Sequence, residues 1–154
     1  MARMVARLAV LLAVAVVLGS VAIAVSPRGL SWTKPLGKDQ LAKIVDAGLV
    51  PVAQKALGEL IRDKLSRLVD ARSREDFKIG RLPGAYSCPW RELEAKTATP
   101  PPQGGPIVIY CSNEFCDDAL DLGRWLLAHG HKDVGVLLDG YDAWWNARGA
   151  VEQD

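Results

Sequence analysis

The longest apolar run of the chain lies near its amino terminus. Residues 8–25 read LAVLLAVAVVLGSVAIAV without a charged side chain, and Arg3 and Arg7 precede them. A membrane-spanning helix needs about 20 mostly apolar residues, so we expect residues 8–25 to anchor the chain in a membrane. The alternative is a secretory signal segment, since the Ala-Ile-Ala of residues 22–24 fits a cleavage site, and cleavage would remove residues 1–24. The run is longer than a usual signal core, which favours the anchor.

These features divide the chain into three parts. Residues 1–26 are the predicted anchor or signal segment, residues 27–38 are a linker that contains Pro27, Gly29, Pro35 and Gly37, and residues 39–154 form one domain. Both interpretations of the first part export the domain. We therefore expect a membrane-anchored protein with its domain in the periplasm of a bacterial cell, where thiols meet oxidants, or a secreted form after cleavage.

Within the domain, helical periodicity alternates with short apolar runs. Leu57, Leu60 and Ile61, for example, recur at the spacing of an amphipathic helix that ends near residue 65. Further helices are predicted at Asp39–Asp46, Cys116–His129 and Tyr141–Ala147, apolar strands at Leu49–Ala53, Arg67–Ala71, Pro106–Cys111 and Val134–Leu138, and a turn at Pro83-Gly84. Because strands alternate with helices and some strands are apolar throughout, we predict an α/β fold with a parallel sheet.

Composition and charge narrow the range of functions. The 154 residues include 19 Lys plus Arg and 18 Asp plus Glu, for a net charge of +1, which argues against a nucleic-acid partner. Hydrophobic residues make up 49% and charged residues 24%, which excludes a disordered chain. Three cysteines are too few for a small protein built on disulfides.

Candidate chemistry centres on Cys111, at the end of the most apolar strand. The loop that follows it into a helix consists of Ser112, Asn113, Glu114, Phe115 and Cys116. Open α/β sheets bind ligands at the carboxyl ends of their strands. The loop N–H groups can surround a group on the sulfur, and the following helix N-terminus would lower the pKa of the thiol, so Cys111 is a candidate nucleophile. The alternative is a small buried hydrophobe, the common role of a free cysteine.

Three blocks of sequence resemble the rhodanese family. They are Leu68–Arg72 (LVDAR) with Asp76-Phe77 and Gly80–Ala85 (GRLPGA), then Ile107–Cys111 (IVIYC) with its loop, and Val136–Trp144 (VLLDGYDAW). The resemblance covers residues 49–148. It implies a rhodanese-like five-stranded parallel sheet flanked by helices, and a sulfurtransferase that carries sulfur as a persulfide on Cys111.

The chemistry that the resemblance implies needs no metal and no organic cofactor. The Cys111 thiolate takes one sulfur from a sulfane donor, the backbone of residues 112–116 stabilises the persulfide anion, and a thiophilic acceptor, either a small molecule or a protein thiol, then takes the sulfur. Five other residues of the matching blocks are expected to be structural, with Asp76 able to pair with Arg72. They are Asp70, Arg72, Asp76, Gly84 and Gly140.

The chain also departs from the family pattern. The loop lacks the cationic residues that usually help to hold thiosulfate and carries Glu114, followed by Asp117 and Asp118. Carboxylates repel an anionic donor and tend to raise the pKa of Cys111, so we expect weak thiosulfate activity. Asp139 stands where the third block normally has its first glycine, which leaves the local backbone geometry open.

The other two cysteines have alternative roles. One hypothesis makes Cys116 a resolving thiol that attacks the persulfide, releases sulfide and leaves a Cys111–Cys116 disulfide. The other has Cys116 only packing at the first helical turn, and packing is also the expected role of Cys88.

Three other functions are compatible with an α/β domain that carries a cysteine loop: a phosphatase, a thiol redox module and a scaffold without activity. A dual-specificity phosphatase would need a loop one residue longer that ends in Arg, so we exclude it. The rival function is a membrane-tethered thiol redox or sulfur-binding module that uses Cys111 and Cys116 without sulfurtransferase turnover. A silent scaffold with the same fold is a third possibility, against which the cysteine at position 111 argues.

Overall fold

The structure is a computed structural model that describes residues 38–64 and 66–154. The predicted anchor or signal segment at residues 8–25 and nearly all of the linker lie outside the described residues. Across residues 38–64 and 66–154, every helix is too short or too polar to cross a membrane. The elements in chain order are α1 (Lys38–Asp46), β1 (Val50–Val52), α2 (Gln54–Asp63), β2 (Arg67–Asp70), α3 (Arg74–Ile79), β3 (Tyr86–Ser87), α4 (Trp90–Glu94), β4 (Ile107–Tyr110), α5 (Asp118–Ala128), β5 (Val134–Leu137) and α6 (Gly140–Asn146).

All five strands pair in parallel, in the order β1-β5-β4-β2-β3, which confirms the predicted sheet. Strand β4 lies at the centre, and its register with β2 places Tyr110 opposite Asp70. The carboxyl ends of β2 and β4 therefore lie side by side at one edge of the sheet. This edge is where the loop after Cys111 begins.

The alternation of side chains along β4 divides the core into two clusters. Ile107, Ile109 and Cys111 face the cluster that contains residues of α1, α4 and α5. Val108 and Tyr110 face the opposite cluster, which contains residues of α2 and α6. Burial on both faces is the reason that this strand is apolar throughout.

Three short elements were not predicted, namely α3, β3 and α4. Each is six residues long or shorter, too short for an apolar period to be visible. The start of α3 depends instead on a polar cap, because the Ser73 hydroxyl accepts a hydrogen bond from the Asp76 N–H at 3.1 Å. Helix α5 begins at Asp118, two residues later than predicted.

Candidate active site

Cys111 follows the last residue of β4 and is joined to Cys116 by a disulfide. Its side chain is 4% exposed, while Cys116 is only partly buried. The two Cα atoms are 6.0 Å apart, within the range that a disulfide requires. Because α5 begins at Asp118, Cys116 lies just before the helix and not in its first turn. It packs against the core, as one of the two alternatives held, and its sulfur is also bonded to Cys111. Cys111 is therefore part of a disulfide in this structure and is not the free thiol that a single nucleophilic cysteine would be.

Asn113 organises the loop between the two cysteines. Its side-chain oxygen accepts a hydrogen bond from the Phe115 N–H at 3.1 Å, and its carbonyl oxygen accepts one from the Cys116 N–H at 3.2 Å. Its side-chain amide donates to Asp142 at 3.3 Å. In this disulfide form, two of the loop amides expected to surround an anion are therefore bonded within the loop. The anion cradle formed by residues 112–116 stays a prediction.

The start of α6 holds the loop from the other side. The N–H of Tyr141 donates to the carbonyl oxygen of Cys111 and that of Asp142 to Ser112, both at 2.8 Å. Gly140 has φ +66° and contacts the loop backbone directly. The neighbouring Asp139 has φ −95°, which any residue adopts. The replacement of the family's first glycine by Asp139 is thus accommodated without strain, and the glycine that the geometry requires is Gly140.

A buried ion pair lies beneath this site. The Arg72 guanidinium donates to both carboxylate oxygens of Asp70, with Nη2 at 2.6 Å, and to the carbonyl oxygen of Gly80 at 2.6 Å. The ring of Tyr141 lies 3.9 Å from the guanidinium carbon. Burial alone would lower the pKa of Arg72, but the hydrogen bonds and charge of Asp70, together with Tyr110, raise it above its ordinary value. This arrangement is consistent with the structural role predicted for Asp70 and Arg72.

Asp76 does not form the pair with Arg72 that its carboxylate could have made. Its carboxylate accepts a hydrogen bond from the Ser73 hydroxyl at 2.8 Å, as part of the cap of α3. Arg72 already has a bidentate partner in the fully buried Asp70, two residues away. The predicted turn at Pro83-Gly84 is present, with the Ala85 N–H donating to Leu82 and Gly84 at φ +72°. Gly84 therefore has the conformation that a turn of this kind demands.

Two adjoining clefts open beside the disulfide. The first, of about 290 Å³, is lined by both cysteines and by Asp118, Arg91 and Glu92 among others. The second, of about 300 Å³, is lined by residues of α3 and α6, which include Ile79, Tyr141 and Trp145. The two clefts share Arg72, Asp76 and Ser112. The second cleft therefore combines apolar side chains of α3 and α6 with the charged groups of Arg72 and Asp76.

The cations beside the sulfurs all face carboxylates. Arg72 is paired with Asp70, and Nε of Arg91 lies 3.8 Å from Asp118. Burial of Asp118 raises the pKa of its carboxyl group, Arg91 lowers it, and nearby carboxylates raise it further. Of the three carboxylates predicted to act on Cys111, Asp118 lines the cleft, whereas Glu114 does not. Phe115 is 69% exposed and does not line this cleft either.

Potential metal ligands meet at one point of the described chain. Among residues 38–64 and 66–154, the sulfurs of Cys111 and Cys116 and a carboxylate oxygen of Asp118 lie within 4.8 Å of one another. In the structure each sulfur is bonded to the other, so neither is a thiolate that could bind a metal. Cys88 is fully buried in the core as expected, where burial raises the pKa of its thiol to about 11.

Sequence reasoning missed several contributors to the site. Tyr110, Tyr141 and Gly80 surround Arg72, and although each lies in one of the three matching blocks, no role was assigned to any of them. Asp118 was recognised only as one of several negative charges. The signal that could have found it is its spacing, since it falls two residues after Cys116 and in the first turn of a helix.

Comparison with known families decides the membership of the chain. The model of the rhodanese-like domain matches residues 53–147, which is more than half of the chain. The chain belongs to this family. The matched range includes Cys111 and its loop. A comparison with curated proteins finds no significant match.

Solved structures support the rhodanese fold. The human single-domain sulfurtransferase TSTD1 is 25% identical, with a TM-score of 0.53 over 62% of this chain and 95% of that one. A thiosulfate sulfurtransferase from Pseudomonas aeruginosa is 19% identical, with a TM-score of 0.57 over 77% of this chain and 23% of that one. A Rhodopseudomonas palustris protein of unknown function, described as a possible tyrosine phosphatase, is 21% identical, with a TM-score of 0.58 over 79% of this chain and all of that one. The family model and these neighbours agree on a rhodanese-like fold.

Proposed function

We propose that this rhodanese-like domain is a sulfurtransferase that carries sulfane sulfur as a persulfide on Cys111. The observation that supports this most is the position of Cys111, directly after the central strand and in the lining of a cleft of about 290 Å³. A sulfur atom bound to Cys111 would point into this cleft, where a thiophilic acceptor can reach it. The reduced form of the site is the active form in this proposal, since the nucleophile is a thiolate.

The charges around the cleft define the class of donor. Each arginine that lines it, Arg72 and Arg91, faces a carboxylate within 4 Å, so little positive charge is left for an anion. We therefore propose a protein-bound persulfide, or a small persulfide without net negative charge, as the donor. Thiosulfate, a dianion, is expected to react slowly.

Mass spectrometry of the full chain tests the proposal. The reduced protein is incubated with cysteamine persulfide, a small persulfide that also carries an amine, and the intact mass is measured with and without cyanide. A gain of one sulfur atom in the Cys116→Ser variant, removed by cyanide and absent when Cys111 is also replaced by Ser, would support the carrier role. The Cys88→Ser variant is the matched control and should give the same masses as the unmodified chain. No gain of sulfur in any variant would refute the proposal.

The disulfide favours a second candidate function. A thiol redox module would use Cys111 and Cys116 to exchange electrons with a partner dithiol and would take up no sulfane sulfur. In this case oxidation removes two hydrogens from the reduced protein, requires both cysteines, and leaves no mass gain with any persulfide donor. The same mass measurements therefore separate the two candidates.

We also propose that residues 8–25 tether the domain to a membrane, with the site in an extracytoplasmic compartment. An oxidising compartment would favour the disulfide between Cys111 and Cys116. Fractionation of cells that produce the full chain should place it in the membrane pellet after a high-salt wash. A chain that lacks residues 1–26 should be found in the soluble fraction, and equal distribution of the two chains would refute the tether.

A further inference from the structure

We propose a further activity, in which the domain reduces sulfane sulfur to sulfide. Cys116 resolves the persulfide on Cys111, and Asp118 accepts the proton that Cys116 must lose. This inference rests on the proposed function, because it begins from the Cys111 persulfide. It differs from sulfur transfer in its product, which is free sulfide and a disulfide rather than a sulfur-bearing acceptor.

The geometry shows that the resolving step is within reach. The sulfur of Cys116 is bonded to that of Cys111, and the loop between them is closed by the hydrogen bonds of Asn113. Cys111 is nearly fully buried, so an external thiol meets the outer sulfur of a persulfide before the inner one. Cys116 belongs to the same loop and can attack the inner sulfur with the advantage of an intramolecular reaction.

The step balances in atoms and electrons. The thiolate of Cys116 attacks the inner sulfur, the bond between the inner and outer sulfur breaks, and the outer sulfur leaves as sulfide. The two cysteine sulfurs are oxidised to the disulfide, and the sulfane sulfur is reduced by the same two electrons. The proton that Cys116 gives up ends on the leaving sulfide as HS⁻.

Asp118 is the group placed to move this proton. Its carboxylate lies within 4.8 Å of both sulfurs, a distance that one water molecule bridges, and it lines the same cleft. The charged groups that act on it are Arg91 and Glu94 of α4, and Asp117 and Asp121 near the start of α5. Burial and the three other carboxylates raise its pKa while Arg91 lowers it, which brings the carboxylate closer to the basicity that a thiol proton requires.

A second cycle requires a reductant, which we assign to the class of dithiols. Cys116 is the more exposed residue of the disulfide, so a thiolate of the reductant attacks its sulfur, and Cys111 leaves as the thiolate. The second thiol of the reductant then breaks the mixed disulfide and restores the Cys116 thiol. Sulfur therefore enters the protein at Cys111 and electrons enter at Cys116.

The first test counts products. The reduced full chain, freed of reductant, receives one equivalent of cysteamine persulfide, and sulfide and intact mass are measured. The unmodified chain should release one sulfide per protein and lose two hydrogens, whereas Cys116→Ser should keep the added sulfur and release no sulfide above the Cys111→Ser background. Cys88→Ser should match the unmodified chain.

The outcomes separate this inference from the proposed function. If Cys116→Ser gains no sulfur, the persulfide carrier itself is refuted. If Cys116→Ser gains sulfur and the unmodified chain also keeps it without releasing sulfide, only the resolving role is refuted. Equal sulfide release from the unmodified chain and from Cys116→Ser would also refute the resolving role of Cys116.

The second test concerns Asp118. Sulfide release after one equivalent of cysteamine persulfide is added should slow about tenfold or more at neutral pH in Asp118→Asn, since general base catalysis contributes at least this much. The rate of this variant should recover as the pH rises toward the pKa of the Cys116 thiol, a recovery that a purely structural defect would not show. Asp117→Asn is the matched control, because Asp117 is exposed and bonded to Lys43. Equal rates for the two variants would refute the role of Asp118.

Discussion

Gly140 lies directly against the backbone of Ser112. A Cβ atom at position 140 would be 2.7 Å from the carbonyl oxygen of Ser112 and 2.8 Å from the backbone of Asn113. This close approach lets the two following N–H groups reach the carbonyl oxygens of Cys111 and Ser112. The loop that carries the proposed nucleophile is thus fixed by α6, an element far from it in sequence.

Replacement of Gly140 by Ala should therefore destabilise the protein and distort the loop. The left-handed backbone costs a non-glycine residue about 1–2 kcal/mol, and the contact with Ser112 adds to it, so we expect a loss of about 3 kcal/mol or more. Urea unfolding followed by circular dichroism measures this free energy. Asp139→Ala is the control, expected to change it by less than about 0.5 kcal/mol because Asp139 has ordinary helical angles. Equal stabilities of the two variants would contradict the contact.

The Arg72–Asp70 pair yields a second prediction. Lysine at position 72 keeps the charge but cannot bond both oxygens of Asp70 and also the carbonyl of Gly80. We expect Arg72→Lys to lower the free energy of unfolding by about 1–3 kcal/mol, because the charge is kept but a buried acceptor of Asp70 or Gly80 loses its hydrogen bond. Arg74→Lys is the control, since Arg74 pairs with Glu92 at the surface and should cost less than about 1 kcal/mol. A loss no larger than that of the control would show that the buried pair is not structural.

The main sheet and the position of Cys111 could be predicted because they leave a signal in local sequence. The buried run before Cys111 and the turn at Pro83-Gly84 are examples, and both are confirmed. The disulfide was only one of several options, because the distance between Cys111 and Cys116 depends on how Asn113 curls the loop. The partners of Arg72 come from four separate segments, and such tertiary contacts leave no local period.

The state of the three cysteines can be checked by counting thiols. The native oxidised protein should show no reactive thiol, since Cys111 and Cys116 are bonded and Cys88 is fully buried. Burial also raises the pKa of Cys88 to about 11, so at neutral pH it is a protonated, inert thiol. After unfolding without reductant one thiol should react, and after reduction and unfolding all three. Cys88→Ser should lose the single thiol of the unfolded oxidised form, and three thiols before reduction would contradict the disulfide.

Donor selectivity should respond to the charge at Glu92. This carboxylate lines the cleft, so Glu92→Gln would remove a negative charge that an anionic donor meets there. We expect kcat/KM for thiosulfate to rise about fivefold, the effect of roughly 1 kcal/mol for a partly exposed charge. The value for cysteamine persulfide should stay nearly constant. Glu75→Gln, which alters a carboxylate of α3 that does not line this cleft, should change neither value. An equal rise for both donors in Glu92→Gln would refute the electrostatic account.

His131 gives the protein a sensitivity to acid. Its side chain is buried, and neither ring nitrogen has a hydrogen-bond partner among the described residues. Burial lowers the pKa of His131, and the positive charges of Arg67 and His129 lower it further. Below a pH of about 6.5 the unfolded chain binds a proton at this position that the folded chain does not, so the free energy of unfolding decreases as the pH falls.

Replacement of His131 by Phe should remove this component of the pH dependence. Phenylalanine has a ring of similar size and no titrating group, so the loss of stability between neutral pH and pH values below 6.5 should be smaller than in the unmodified protein. His129→Phe is the control for loss of the other histidine, because its ring stacks on Trp125 at 3.6 Å, a contact that phenylalanine can keep. Since His129 is one of the groups that lower the pKa of His131, this control should reduce the acid sensitivity less than removal of His131 itself. Urea midpoints across this pH range give the comparison. If His131→Phe loses as much stability in acid as the unmodified protein and the control, another group must be the one that titrates.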